Sequence, residues 1–144
     1  MAGGKGSTFD NDLLKLIFNG TAISGIADNA ASAPLTSLFL SLHTADPGAG
    51  GAQSTSEAAY GNYTRMPVTR NSGGFTVSGN SVTLTVAIIF PVASSGSEIE
   101  TWAAVGTTVT GSGKILYRGP ITPTLSITSG VAPQLTAGTT ITES

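Results

Sequence analysis

Residues 37–48 read Ser-Leu-Phe-Leu-Ser-Leu-His-Thr-Ala-Asp-Pro-Gly. In an extended chain Leu38, Leu40 and Leu42 fall on one side, and Ser37, Phe39 and Ser41 on the other. A period of two is the mark of a strand. Asp46-Pro47-Gly48 then turns the chain, because Pro47 fixes φ and Gly48 is free to take a positive one. A strand from Ser37 to His43 closed by a tight turn sets the fold class as mainly β.

The same pattern recurs along the chain. Strands are expected at Tyr63–Thr69, where Pro67 marks a sheet edge or bulge, and at Phe75–Val77. Gly79-Asn80 is a hairpin turn. Ser81–Phe90 is the cleanest strand, with Val82, Leu84, Val86 and Ile88 on one face. Further strands follow at Ile99–Val105, Lys114–Arg118, Ile121–Ile127 and Gln134–Ile141, and Gly111-Ser112-Gly113 is a turn. About eight strands at this spacing predict an antiparallel β-sandwich, jelly-roll-like.

One short N-terminal helix interrupts the β pattern, from Thr8 to Phe18. Ser7 or Thr8 caps it, Asp10 and Asp12 suit its first turn, and Asn19-Gly20 ends it. Phe9, Leu13, Leu16 and Ile17 keep the helical period, Leu14 and Phe18 widen the apolar face, and that face packs on the β core. Residues 48–60 have little periodicity and predict a long exposed loop, either an interaction surface or disordered. No repeat or linker divides the chain, so residues 1–144 are expected to form a single domain with a flexible Gly-rich arm at about 1–8.

Charged residues make up only 10% of the chain and the net charge is −2, against about 25% charged in ordinary soluble domains. So sparse a charge, with abundant Ser, Thr and Gly, suits a surface covered by neighbours in an assembly. Lys5, Lys15, Arg65, Arg70, Lys114 and Arg118 form no basic run, which gives no ground for nucleic-acid binding. There is no cysteine, hence no thiolate metal site or cysteine nucleophile. The N-terminus lacks an apolar signal region. The longest apolar run, Val86–Phe90, is far short of the roughly 20 residues of a membrane span, so no membrane is expected.

Catalytic chemistry finds no signature. His43 is the only histidine and no Gly-x-Ser-x-Gly elbow accompanies it, so it reads as a structural residue at a strand end. Glu98 and Glu100 share a strand face and read as an exposed pair. Trp102 with Tyr60, Tyr63 and Tyr117 could line a sugar site, but Trp102 reads more simply as a strand residue. No catalytic residue, metal site or cofactor is expected.

In order along the chain come Asp12-Leu-Leu-Lys-Leu-Ile-Phe-Asn-Gly-Thr21, Leu40-Ser-Leu-His-Thr-Ala-Asp-Pro-Gly48, Glu57, Tyr63-Thr64-Arg65, Phe90-Pro91, Trp102 and Ile115-Leu-Tyr-Arg-Gly-Pro120. This order resembles a family of small phage virion proteins, variously described as tail-fibre or capsid cement (decoration) proteins. The resemblance spans about residues 9–141 and carries no catalytic motif. It implies a virion structural protein, made in the host bacterial cytoplasm.

Cement is the first expectation, because fibre shafts tend to carry repeats or coiled segments that are missing here. The expected partner is then the major capsid protein of a phage shell, with the chain a homo-oligomer, dimer or trimer. Gly3, Gly4, Lys5 and Gly6 in the arm, and Thr139, Thr140, Ile141 and Thr142 near the other end, are the expected subunit contacts. A tail or tail-fibre component, receptor- or carbohydrate-binding, is the alternative.

Overall fold

The computed structural model describes residues 7–23, 26–27 and 33–142. It is 43% strand and 9% helix, about twice the ordinary strand content. One helix, α1 (Ser7–Asn19), precedes nine strands among the described residues: β1 (Ser37–His43), β2 (Met66–Thr69), β3 (Phe75–Ser78), β4 (Ser81–Leu84), β5 (Ile88–Ile89), β6 (Ser97–Gly106), β7 (Ile115–Thr128), β8 (Gln134–Leu135) and β9 (Thr140–Thr142). The established pairings are antiparallel, as expected from the sequence. The chain forms two compact units, one of Met1–Thr36, Thr69–Ala87 and Thr136–Ser144, the other of Ser37–Val68 and Ile88–Leu135.

The first unit is the helix and a three-stranded sheet in the order β3-β4-β9. Leu14 and Phe18, four residues apart and so on one helix face, are fully buried, whereas Phe9 is exposed. The helix packs on β3 and β4, with Phe18 edge-to-face against Phe75 at 4.9 Å between ring centroids. Asn11 Nδ2 donates to Gly79 O at 3.0 Å, tying the helix to the β3–β4 turn.

Ser7 and Thr8 both lie inside the first turn rather than before it. At the other end Gly20 takes φ +66°, the left-handed step after which a helix stops. Arg70 completes that end, donating from Nε to Ile17 O at 2.5 Å and from Nη2 to Leu16 O. A guanidinium there satisfies orphan carbonyls and meets the negative end of the helix dipole.

The hairpin at Gly79-Asn80 pairs Ser78 with Ser81 and Phe75 with Leu84. The expected Ser81–Phe90 strand does not continue through. Val82 and Leu84 are buried, but Val86 is 53% exposed. Thr85 N donates to Gly74 O, and Thr85 Oγ1 to Ser72 O. Ile88 resumes as β5, whose partner is β8. Side-chain alternation runs on unbroken in the sequence, while the backbone changes sheets. The Gln134–Ile141 expectation fails alike, dividing into β8 and β9 around a turn in which Thr139 N donates to Thr136 O.

The second unit is built on a four-stranded sheet, β2-β1-β6-β7. β1 runs from Ser37 to His43 as expected and is buried on both faces, Leu38, Leu40 and Leu42 on one and Ser41 and His43 on the other. Lys114–Arg118 and Ile121–Ile127 prove to be one strand, β7, whose Pro120 and Pro123 are tolerated because it lies at the sheet edge. The register slips between Glu100 and Trp102, with Trp102 opposite Pro120.

Phe75→Ala is expected to lower unfolding stability by about 3–5 kcal/mol, since it empties the position against which Phe18 packs; chemical denaturation measures it.

Candidate functional site

Residues 48–60 were expected to form a long exposed loop; Ala49, Gly50, Ser54, Thr55, Ser56 and Ala59 are exposed, but Gln53, Ala58 and Tyr60 anchor the segment in the interior. Gly48 N donates to Asp46 Oδ1 at 2.8 Å, the Asx turn that Asp46-Pro47-Gly48 encodes. Gln53 is then fully buried, as are Ala58 and Tyr60 nearly so. Gln53 N donates to Ser112 O and Gly113 O, at 2.9 and 3.0 Å. Its Nε2 donates to Phe39 O at 3.2 Å, and its Oε1 accepts from Thr108 N at 3.1 Å. A Cβ on Gly106 would stand 2.0 Å from Gln53 Cδ, and one on Gly113 2.3 Å from Gln53 Oε1. The two glycines make the slot that the amide fills.

His43, also fully buried, is the next anchor. Its Nδ1 lies 2.8 Å from Thr55 O, and a carbonyl can only accept, so Nδ1 carries the proton. Nε2 therefore accepts from Ser41 Oγ at 2.9 Å. Burial holds the imidazole below its usual pKa, opposed in part by the Thr55 carbonyl. A hydroxyl beside an imidazole is the geometry of a nucleophile and its base, but here both side chains are fully buried. Asp46 pairs elsewhere, with Arg118 Nη1 at 2.8 Å.

The strongest anchor is Arg65, only 3% exposed. Its Nε and Nη2 donate to the two Glu57 oxygens at 2.6 and 2.8 Å. Nη1 donates to Thr108 O and Oγ1 at 3.1 and 3.2 Å, and Nη2 also to Gly111 O at 2.6 Å. That engages all five of the N–H groups of a guanidinium. The hydrogen bonds that Arg65 donates to Glu57 raise its pKa further. Tyr63 Oη donates to Glu57 Oε1 and accepts from Leu42 N, each at 3.1 Å; burial pushes its phenol well above the usual range. The Tyr63 ring stacks on Phe90 and meets Tyr60 edge-on.

Beside these residues lies a shallow open groove of about 270 Å³, its lining including Ser54, Glu57, Val109, Thr110 and Gly111. The Glu57 and Arg65 groups that border it are already engaged internally. Among the described residues no cluster of three His, Asp or Glu could hold a metal, and no helix is long and apolar enough to cross a membrane.

Of two other sequence readings, Trp102 is the strand residue expected, in β6, and the Glu98–Glu100 reading changes. Trp102 lies under Arg118, whose guanidinium carbon is 5.5 Å from the ring centroid. Tyr117 pairs with Val105, three residues from Trp102 and so on the other sheet face, so Trp102 and Tyr117 do not line one site, while Tyr60 donates to Pro91 O and meets Tyr63. Glu98 and Glu100 are not an exposed pair. Glu98 Oε1 accepts from Ala59 N and Tyr60 N at 3.0 and 2.8 Å, and Glu100 is fully buried.

The model of a protein family described as podophage GP4 fiber I protein gp80 matches residues 6–143. The chain belongs to this family. It is a structural protein of the phage virion. No curated protein matches it.

Within this fibre family member the expected subunit contacts fall in two places. Gly3, Gly4, Lys5 and Gly6 lie outside the described residues. Thr139–Thr142 border and form β9, at the edge of its sheet, with Thr140 and Thr142 exposed. Sequence reasoning missed the Glu57–Arg65 pair as a structural centre. Its signal was an acid and a base eight residues apart in a chain with few of either.

Arg65→Met should destabilise the protein by about 3–5 kcal/mol, because it leaves the Glu57 carboxylate without its partner. Adding Glu57→Leu should restore much of the loss. Denaturant unfolding of both variants, read with the proteolysis rate in residues 44–57, checks this.

Proposed function

We propose that the chain is a non-catalytic component of the phage tail fibre, working as a braced β module that packs against neighbouring virion subunits. The observation that carries this reading is the family match over residues 6–143, nearly the whole chain, to a family whose description is a fibre protein. The structure supports a structural role, because its one hydroxyl–imidazole pair is fully buried and its longest loop is tied down by Gln53, His43 and Arg65. A module that carries load benefits from loops that do not yield, since local opening starts where few bonds hold a segment.

The partners follow from this reading: other subunits of the fibre, including further copies of the chain. The capsid cement reading of the sequence rested on the lack of shaft repeats, which a non-repeating fibre module also explains.

Virions labelled with gold-conjugated antibody against the protein are expected to carry gold on the tail structures. Gold spread over the head shell would overturn the fibre reading in favour of cement.

A further inference from the structure

Glu98 and Glu100 lie two residues apart on β6, so both carboxyls leave one face of the sheet. The register sets Ile127 opposite Glu98 and Leu125 opposite Glu100, which makes the surroundings on β7 apolar. Glu100 has no exposed surface, and neither of its carboxyl oxygens has a hydrogen-bond partner. Glu98 is different, its Oε1 being held by the Ala59 and Tyr60 amides.

The titratable groups that act on Glu100 are Glu98 on its own strand and Tyr60 on the turn packed against it. Neither is a cation. Burial first, and the Glu98 charge second, push Glu100 up to about 8; burial and the two carboxyls push the Tyr60 phenol up to about 12. At neutral pH, then, Glu100 is a neutral acid beside the Glu98 side chain that the two amides hold.

We propose that the Glu98–Glu100 pair is an alkali-sensitive latch, in which proton loss from the buried Glu100 loosens the grip of Glu98 on the Ala59–Tyr60 turn. A second unpaired negative charge in a dry site is costly, and like charges on one strand face repel. The pair relieves this by letting water in. Glu98, partly exposed, is the member able to move, and its movement frees the two amides. The turn cannot follow by sliding. A Cβ on Gly61 would stand 2.4 Å from Ser94 Oγ, and one on Gly96 3.2 Å from Tyr60 Cα, so the backbones there are already in contact. Gly61 keeps its own bonds to Ser94 and Ser95, which confines the loosening to Ala59 and Tyr60.

The sign follows from linkage. Glu100 keeps its proton in the folded chain well above the pH at which the unfolded chain releases it. Its stabilising contribution is therefore complete below the unfolded value of about 4.3 and declines as pH rises towards about 8. Opening of the latch follows the upper end of that window.

Amide hydrogen exchange of the full chain between about pH 6.5 and 9.5, corrected for hydroxide catalysis, tests this. Ala59 and Tyr60 are expected to lose about tenfold in protection through a step near pH 8, while Leu40 and Leu42 in β1 keep theirs. Glu100→Gln should abolish the step. Glu98→Gln, which removes the like charge yet still offers an oxygen to both amides, should move the step to lower pH. Flat protection in the parent chain, an unchanged step in Glu100→Gln, or an unmoved step in Glu98→Gln would each overturn the latch.

Discussion

The Arg65 guanidinium is the constraint on which the second unit depends. It joins Glu57 to Thr108 and Gly111, and through Glu57 and Tyr63 it reaches the Leu42 amide of the central strand. Segments distant in sequence are thus fixed by one side chain. A buried ion pair of this kind is not in itself a large source of stability, because removing both charges from water offsets much of their attraction. What it supplies is a single arrangement. Five directed donors accept one geometry of their partners, and any other leaves a charge buried and unmatched.

That distinction explains why the order within residues 48–60 is not legible in the sequence. β1, α1 and the β3–β4 hairpin are legible because their signal is local: alternation, helical period, a Gly-Asn turn. The loop has order of a different origin. Gln53 is held by Phe39, Thr108, Ser112 and Gly113, all remote in sequence, and Gln-Ser-Thr-Ser-Glu shows no period. The polar composition that suggested exposure is what allows burial there, since each buried polar group finds a partner.

Other misreadings have the same root in a narrower form. Period two correctly placed Glu98 and Glu100 on one face, but it does not say which face is covered. The run from Ser81 to Phe90 alternates throughout, yet its backbone pairs with β3 and β9 up to Leu84 and with β8 from Ile88. Side-chain pattern reports alternation, and which residues are covered and which strands pair are chosen by the rest of the chain.

The sparse charge of the sequence takes on more meaning once the charged groups are located. Arg65 and Glu57 neutralise one another in the interior, Arg70 donates into the end of α1, and Glu98 and Glu100 face inward over the Ala59–Tyr60 turn. Asp46 and Arg118 are spent on each other and on Trp102. From a chain already only 10% charged, these demands leave, among the described residues, an exterior mostly of hydroxyls, small residues and exposed aliphatics such as Ile89, Val92 and Ile99, with Lys114 and the Asp46–Arg118 pair among its few charges. Such a surface is costly for a free protein that must stay dispersed and inexpensive to bring against a neighbour, since few ions lose their water on contact. The internal bracing and the sparsely charged exterior are therefore linked, and both suit a subunit of a virion.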